Sequence, residues 1–223
     1  LEAMSPDLVV VRHNHAGAPQ MLTEVMSGSI INAGDGSHEH PTQALLDAFT
    51  LMEHFDRNSE QRLAGIKIAI IGDIAHSRVA RSNMLCLNLL GAEVRVAGPG
   101  TMLPKGLEQY GVTPFTNVDE ALAGVDAVMM LRIQKERIEE PLMASEREYF
   151  RHFGLTVKRL NQLPEHAIIM HPGPMNRGVE IAPQVADDPR SVILRQAENG
   201  IAVRMAVLYL LAVGQQPTRG GAS

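Results

Sequence analysis

The stretch Ile66-Lys-Ile-Ala-Ile-Ile-Gly-Asp-Ile-Ala-His-Ser-Arg78 decides the fold class of this 223-residue chain. Its apolar, β-branched first half predicts a buried strand that ends in a turn at Gly72. Ser77 is a favourable N-cap residue, and the apolar spacing behind it predicts a helix from Ser77 to Leu90. A strand that leads directly into a helix is half of a crossover unit, so this stretch predicts a parallel sheet.

Further strand patterns lie on both sides of this stretch. They are short apolar or β-branched runs bounded by polar or turn residues. Because they alternate with helical patterns, we expect an α/β fold with parallel sheets flanked by helices. The predicted strands are Leu8–Val11, Ile30–Ile31, Ile66–Ile71, Val94–Ala97, Ala127–Leu131 and Ala167–Met170.

Three more helices are predicted from periodicity. The first, from Pro41 to Phe55, opens with proline in its first turn, where the missing N–H costs nothing. The second, from Gln134 to Phe153, is charged and is interrupted at Pro141. The third, from about Ser191 to Val213, is strongly amphipathic, weakened by Gly200 and ended by Gly214. One apolar stripe of the first helix consists of Leu45, Phe49 and Met52.

The composition is that of an ordinary globular protein, with 45% apolar residues. No apolar run approaches the ~20 residues that span a bilayer, and residues 1–7 do not resemble a signal peptide, so we expect a cytoplasmic protein without a membrane partner. A net charge of −5 with three Tyr, five Phe and no Trp argues against nucleic acid as a partner. The single cysteine, Cys86, lies among apolar residues and is interpreted as a buried, inert thiol.

The two ends of the chain differ from its middle. Leu8–Val11 is an apolar strand almost at the first residue, so the chain reads as though it begins inside a domain. Residues 215–223 are rich in Gly, Pro, Ser and Thr, and we expect them to be disordered.

Polar side chains follow the predicted strands. In open parallel sheets, ligands bind just beyond the carboxyl ends of the strands, so these side chains should face one crevice. Since the arginine fork matches carboxylate and phosphate, the crevice suits a small ligand with several negative charges. The residues concerned are Arg12, the segment Asn32–Gln43, Arg78, Arg132, Gln134 and the loop His171-Pro-Gly-Pro174.

The segment Asn32–Gln43 is the most specific of these. Gly34 and Gly36 permit tight turns, and Pro41 begins a helix, so His40 occupies the N-cap and Gln43 lies above it. The positive end of the helix opposes an imidazolium, which predicts a neutral His40 that can donate a hydrogen bond to a carbonyl oxygen. The alternative is that His40 only caps the helix.

Two other ligand classes are disfavoured. The cluster His38-Glu39-His40 lacks the i, i+4 spacing of a helical zinc site, so no metal is expected and the histidines are interpreted as surface residues. The turn from Gly72 to Arg78 lacks the further glycines of a dinucleotide-binding loop. Arg78 opposes the dipole of its own helix, which indicates either a function or an acidic partner such as Asp73.

At these residues the sequence becomes recognisable. The segment Ile31-Asn-Ala-Gly-Asp-Gly-Ser-His-Glu-His-Pro-Thr-Gln-Ala-Leu-Leu-Asp47 resembles the carbamoyl-phosphate loop of the aspartate carbamoyltransferases. Three later stretches resemble further signatures of that family, in the same order along the chain, from about Asp7 to Val213. They are Gly72–Ser82, Leu131-Arg-Ile-Gln-Lys-Glu-Arg137 and His171-Pro-Gly-Pro-Met-Asn-Arg-Gly178.

The resemblance implies a fold of two α/β domains. Residues 1–60 would be the remainder of a carbamoyl-phosphate-binding domain, with the C-terminal helix 197–213 packing back on it. Residues 61–196 would bind aspartate. It also implies a homotrimer that regulatory or dihydroorotase chains could join, and no cofactor.

The resemblance further implies a role for each site residue. Arg12, His40 and Gln43 would contact carbamoyl phosphate, with Arg12 and His40 on its carbonyl oxygen. Gly173 and Pro174 would lie against the carbamoyl group through main-chain carbonyls. The two carboxylates of aspartate would be held by Arg78 and Arg132, with Gln134 near the amino group. The amine would attack the carbonyl carbon and phosphate would leave, without a covalent intermediate.

Two alternatives stay open at this stage. Ornithine carbamoyltransferases share the His-Pro-x-Gln element. That family is similar in using a cysteine in the loop after the last strand, where this chain has Gly173. In addition, a pair of arginines suits a dicarboxylate better than it suits ornithine. A non-catalytic homologue that serves as a subunit or scaffold is the second alternative. The codons upstream of Leu1 would discriminate, because a catalytic chain requires the phosphate-binding segment Ser-x-Arg-Thr-Arg.

In the family, that phosphate-binding segment and a lysine-bearing loop from a neighbouring subunit would both precede Leu1. We therefore predict that residues 1–223 alone release no phosphate from carbamoyl phosphate and aspartate, as measured by a colorimetric phosphate assay. Turnover at a normal enzymatic rate would refute this placement of the phosphate site.

Overall fold

A computed structural model describes residues 1–133 and 145–214 of the chain. Within these residues the strands form two sheets, and every pairing within both sheets is parallel. The predicted α/β class is therefore confirmed, and each predicted strand is present with small shifts at its ends. The strands are β1 Leu8–His13, β2 Ser29–Asp35, β3 Lys67–Ile71, β4 Glu93–Ala97, β5 Thr113–Phe115, β6 Ala127–Met130 and β7 Ile168–Met170.

Helices connect the strands and cover the sheets. Two of the predicted helices, at Pro41 and at Ser77, agree with the structure to within a residue or two, and Ser77 is the N-cap whose Oγ accepts from the Ala80 N–H. Four short helices and the three-residue strand β5 were not predicted, because each is too short to show a period. The helices are α1 Ala18–Thr23, α2 Pro41–His54, α3 Arg78–Leu89, α4 Val118–Ala121, α5 Glu146–Phe153, α6 Val157–Leu160, α7 Pro183–Ala186 and α8 Ile193–Gly214.

The larger sheet has the strand order β5-β4-β3-β6-β7. The chain moves outward from β3 through β4 to β5, then returns to the other side of β3 with β6. The strand order therefore reverses between β3 and β6, and such a reversal opens a crevice beyond the carboxyl ends of the two strands. Arg78 follows β3 and Arg132 follows β6, so the topology alone carries both arginines to this crevice.

The smaller sheet pairs only β1 with β2. Helix α8 packs on α2, which follows this sheet, and several side-chain hydrogen bonds join the two helices. Arg195 Nε donates to Glu53 Oε2 at 2.9 Å, Asn199 Nδ2 donates to Thr50 Oγ1 at 3.1 Å, and Gln196 Nε2 donates to Asp47 Oδ1 at 2.6 Å. The assignment of residues 1–60 and 61–196 to separate domains stays a prediction.

The predicted apolar stripe of α2 does not face the core. Leu45 is 46% exposed and Phe49 is 43% exposed, whereas the buried side of the helix includes Gln43, Asp47 and Thr50. The expected stripe was therefore wrong for Leu45 and Phe49, while Met52 is partly buried against the core. The buried face combines apolar Leu46, Ala48 and Leu51 with polar side chains that hydrogen-bond to α3 and α8.

Helix α8 also differs from its prediction. It is apolar on nearly all sides beyond Gly200 instead of amphipathic, and Met205, Tyr209 and Leu210 are each at least 65% exposed. Gly200 lies inside the continuous helix and is buried against α2. Within residues 1–133 and 145–214, no helix combines the length and the apolarity that a bilayer crossing requires.

Three earlier expectations concern residues that these ranges leave out or only partly include. Gln134 and most of the charged helix around Pro141 lie outside the described residues, and so does the tail 215–223. The last part of the predicted helix is α5, whose N-cap Ser145 accepts a hydrogen bond from the Glu148 N–H through its side chain.

Cys86 is half-buried, and burial raises the pKa of its thiol, which agrees with an inert side chain.

Candidate active site

The residues singled out in the sequence meet at one cavity of about 260 Å³. It opens where the reversal point of the larger sheet faces the first turn of α2. The structure brings seven of the eight predicted site residues to its wall, and the eighth, Gln134, lies outside the described residues. The seven are Arg12, His40, Gln43, Arg78, Arg132, Gly173 and Pro174.

Arg12 lies within β1 and not in a loop after it. The pairing of β1 with β2 is regular up to Val11 and shifts between Val11 and His13. A bulge of this kind redirects the side chains next to it. The backbone irregularity is therefore located at the residue that reaches the cavity from this strand.

The loop between β2 and α2 is held in shape by Asp35, which is 1% exposed. Its carboxylate accepts hydrogen bonds from the Asn32 side chain, the Gly17 N–H, His38 and the Glu39 N–H, at 2.7 to 3.1 Å. Burial by itself would raise the pKa of Asp35, but these hydrogen bonds outweigh it and lower the pKa to about 2. A carboxylate that stays ionised at all ordinary pH values thus fixes the approach to His40.

His40 sits at the N-cap of α2, as predicted, but its side chain makes no capping hydrogen bond. Its backbone N–H donates to Ser82 Oγ of α3 at 2.8 Å, its Nδ1 lies 3.5 Å from Thr42 Oγ1, and its side chain lines the cavity. Burial lowers the pKa of His40 to about 4, helped by the positive charges of Arg78, Arg12 and Arg204. The expectation of a neutral ring is therefore supported, although burial and neighbouring arginines cause it where the sequence had suggested the helix dipole.

Arg78 is 4% exposed and lies across the backbone of Gly34. Gly34 has φ +112°, and a Cβ there would lie 2.7 Å from Arg78 Nε. Arg78 Nη1 also donates to the Gly36 carbonyl at 3.2 Å. The acidic partner considered for Arg78 is engaged elsewhere, because Asp73 accepts from the backbone N–H and the ring of His76. Gly34 is thus needed to seat an arginine from another helix, whereas a Cβ on Gly36 would meet the backbone of Asn14 and Ala16.

The loop after β7 contains Gly173 and Pro174 and is held by the buried side chain of His171. His171 Nδ1 accepts from the Gly173 N–H at 2.9 Å, so the proton of the neutral ring is on Nε2, which faces Glu180 Oε1 at 3.2 Å. The backbone N–H of His171 donates to Gln196 Oε1 of α8 at 3.0 Å. Buried polar partners therefore fix the loop at both its strand end and its turn.

Sequence reasoning missed Arg204, a residue of α8 that also lines the cavity. Its Nη2 lies 3.5 Å from Gln43 Oε1, and its charge contributes to the lowered pKa of His40. A signal was present in the sequence, since Arg204 is the single charged residue between Ile201 and Val213. A lone charge in an apolar helix is costly unless it has a partner or a function.

The electrostatic arrangement predicts the titration of His40. We expect its ring to stay neutral down to about pH 4, because the charged form would be buried beside arginines. An NMR titration of its Cε1 resonance would measure this, with assignment by a His40→Gln variant. Since the unfolded histidine titrates near 6.5, the same shift makes unfolding easier as the pH falls from 6.5 towards 4. A midpoint between pH 6 and 7 would contradict the prediction.

The seat of Arg78 predicts the effect of a methyl group on Gly34. In the full-length gene product, Gly34→Ala should raise the KM for aspartate, the expected dicarboxylate, roughly tenfold or more, since small misplacements of positioning groups have large effects. Gly124→Ala is the control, because Gly124 also has positive φ but no atom lies within 4 Å of its added Cβ. Both variants should lose about 1 to 3 kcal/mol of stability. Equal KM values for the two variants would show that Arg78 is not seated by Gly34.

Comparisons with known proteins identify a family that most of the chain matches. Residues 1–53 match the carbamoyl-P binding domain of the aspartate/ornithine carbamoyltransferases, and residues 64–211 match the Asp/Orn binding domain of the same family. The chain is 56% identical to the aspartate carbamoyltransferase catalytic subunit of Syntrophotalea carbinolica over 216 residues, which are 97% of this chain and 67% of that protein. It is also 56% identical to the corresponding subunit of a Chelativorans species, over 99% of this chain and 67% of that protein.

Solved structures show the same fold. The ornithine carbamoyltransferase of Gloeobacter violaceus superimposes with a TM-score of 0.79 at 26% identity, over 95% of this chain and 72% of that one. The aspartate transcarbamoylase of Trypanosoma cruzi in complex with aspartate and phosphate gives 0.76 at 29% identity, over 92% and 65%. The chain spans about two thirds of the length of the curated relatives it matches. Because both family domains match in order and the relatives are more than half identical, the chain belongs to the aspartate/ornithine carbamoyltransferase family.

Proposed function

We propose that this chain carries most of a site that transfers the carbamoyl group of carbamoyl phosphate to the amino group of L-aspartate, giving N-carbamoyl-L-aspartate and phosphate. This is the carbamoyl transfer of pyrimidine biosynthesis. The observation that carries the proposal is one cavity in which arginines from β1, α3, the loop after β6 and α8 surround a neutral histidine. Two substrates that each bear negative charge require such an excess of fixed positive charge.

The carbamoyl donor is assigned to the side of the cavity formed by Arg12, His40 and Gln43. Attack of the amine places negative charge on the carbonyl oxygen, and donors already in position stabilise that charge without reorganising. A guanidinium and a neutral imidazole N–H can both donate to this oxygen. The loss of one such donor typically costs about 3 kcal/mol of transition-state stabilisation. Gly173 and Pro174 are assigned to the carbamoyl group through their carbonyls.

Aspartate is assigned to the side formed by Arg78 and Arg132. Arg78, at the start of α3, and Arg132, in the loop after β6, reach the cavity beyond the ends of the neighbouring strands β3 and β6, so two carboxylates of one small molecule can be held at once. Gln134 is assigned to the amino group of aspartate. Binding both substrates side by side converts a bimolecular reaction into an effectively unimolecular one, which is worth about 7 to 11 kcal/mol in favourable cases.

Ornithine is the alternative acceptor, and an ornithine carbamoyltransferase superimposes as well as the aspartate enzyme does. The arginine pair favours aspartate, because ornithine has one carboxylate and a cationic side chain that would face the second guanidinium. The relatives at 56% identity are aspartate carbamoyltransferase subunits.

The assembly and the location remain part of the proposal. We propose a homotrimer in the cytoplasm, in which a neighbouring subunit completes the phosphate side of the cavity. Regulatory or dihydroorotase chains are possible further partners of such a trimer. The exposed apolar residues of α8 and α2 support the idea that these surfaces contact other parts of the assembly.

The test of the acceptor is a substrate panel with variants of Arg132, in the full-length gene product. The protein should carbamoylate aspartate and not ornithine, and Arg132→Met should raise the KM for aspartate about 10- to 100-fold, as expected for one charged hydrogen-bond donor. Arg147→Met is the control, since Arg147 is exposed on α5. Carbamoylation of ornithine, or an unchanged KM in the Arg132 variant, would overturn the assignment.

A further inference from the structure

Asp47 is a buried acid that the proposed mechanism does not use. It lies in the second turn of α2, is 0% exposed and accepts three hydrogen bonds from side-chain amides. Oδ1 accepts from Gln43 Nε2 at 2.9 Å and from Gln196 Nε2 at 2.6 Å, and Oδ2 accepts from Asn83 Nδ2 at 2.8 Å. The three donors come from α2, α8 and α3. A buried carboxylate needs partners of this kind to offset its lost hydration.

The carboxylate decides how the amide of Gln43 is turned. An ionised carboxylate offers only acceptors, so the Gln43 group that faces it must be the NH2. The carbonyl oxygen then points the other way, towards the cavity, where it lies 3.5 Å from Arg204 Nη2. Rotation of the amide by 180° would place its oxygen against an acceptor and lose the hydrogen bond to Asp47.

The same oxygen of Asp47 also reaches the loop after β7. Gln196 donates to Asp47 through Nε2, which leaves its Oε1 to accept from the His171 backbone N–H at 3.0 Å. His171 in turn accepts from the Gly173 N–H. One carboxylate therefore orients two glutamines, the first at the cavity wall and the second at the root of the loop that carries Gly173 and Pro174.

We propose that Asp47 is a positioning residue that turns the Gln43 carbonyl into the cavity, and thereby makes the site select a donor whose acyl group bears an NH2. This inference rests on the proposed carbamoyl transfer and adds a source of specificity to it. A carbamoyl group has two N–H donors for this acceptor. An acetyl group of nearly the same shape has a methyl there, which cannot donate a hydrogen bond to the Gln43 carbonyl.

The charge state of the network fits this role. Burial raises the pKa of Asp47 to about 6, although the hydrogen bonds from Asn83, Gln196 and Gln43 and the charge of Arg204 oppose that rise. Asp47 is therefore mainly ionised at neutral pH, the form that accepts from all three amides. Cys86 of α3 is the other titratable group close to it, and it is a neutral thiol under these conditions.

The experiment compares two acyl phosphates as donors to aspartate, carbamoyl phosphate and acetyl phosphate, in the full-length gene product. Asp47→Leu removes the acceptor at similar volume and frees the Gln43 amide to rotate. We expect kcat/KM for carbamoyl phosphate to fall about tenfold more than that for acetyl phosphate, the effect of one lost hydrogen bond. An equal loss with both donors would mean that Asp47 only stabilises the fold, and would overturn the proposal.

Two further variants separate positioning from stability. Asp47→Asn should restore most of the preference, because its oxygen can still accept from Gln43 and Gln196. Rotation of the Asn83 amide by 180° would let Asn83 Oδ1, which is buried without a partner, accept from the new NH2, with loss of the bond to the Val79 carbonyl. Thr50→Val is the matched control, since Thr50 is buried on the same helix and bonds Asn199 of α8 without touching Gln43. It should leave the donor preference unchanged, and a change as large as that of Asp47→Leu would contradict the role of Asp47.

The orientation of Gln43 can also be tested by hydrogen exchange in the unmodified protein, without a variant and without turnover. The side-chain amide protons of Gln43 should exchange with solvent at least tenfold more slowly than those of the exposed Gln162, because they are held by a buried carboxylate. Equal exchange rates would contradict the proposed orientation of the Gln43 amide. Slow exchange without carbamoyl transfer would instead reject the proposed function and leave the orientation of Gln43 established.

Discussion

A carboxylate buried at the meeting point of three helices sets the geometry on which the rest of this site depends. Asp47 cannot be removed from water without hydrogen-bond donors, and the structure provides them from α2, α3 and α8. Each of these helices also carries cavity residues: His40 and Gln43 precede Asp47 on α2, Arg78 begins α3, and Arg204 lies on α8. Because Asp47 needs hydrogen bonds from all three helices, it holds these helices in the arrangement that brings their side chains to the cavity.

The cavity itself is an assembly of like charges. Four arginines converge on it from different elements of the fold, Arg12 from β1, Arg78 from α3, Arg132 from the loop after β6 and Arg204 from α8. The same field, together with burial, keeps His40 neutral at physiological pH. A neutral imidazole among guanidinium groups can donate to a developing oxyanion without adding to the repulsion between like charges. The grouping of arginines around a buried His40 thus produces both the positive field of the cavity and the neutral state of the histidine.

The sequence and the structure disagree most clearly on α2 and α8. The hydrophobic pattern placed Leu45 and Phe49 inside and predicted an amphipathic C-terminal helix, but those residues are half-exposed and the end of α8 is apolar on nearly all sides. Periodicity reports where apolar residues lie on a helix, and it assumes that the apolar side is the buried one. That assumption fails in α2, where a polar network shares the buried face with apolar residues such as Leu46 and Leu51. The network could not be foreseen, because Gln196 and Asn199 are some 150 residues away from their partners on α2.

The sequence by itself determined the class of the fold and the position of the main strands, because these depend on local patterns. Seven cavity residues were found from the polar side chains near the ends of the predicted strands together with the family resemblance. The sequence also indicated that Gly34 and Gly36 adopt backbone conformations that favour glycine, and both have positive φ. Only the tertiary structure decided which way the amide of Gln43 faces, how Arg78 lies across Gly34, and that Arg204 joins the cavity. Those features depend on contacts between residues far apart in the chain, where the partner of a hydrogen bond or the atom opposite a missing Cβ is set by packing and leaves no local pattern.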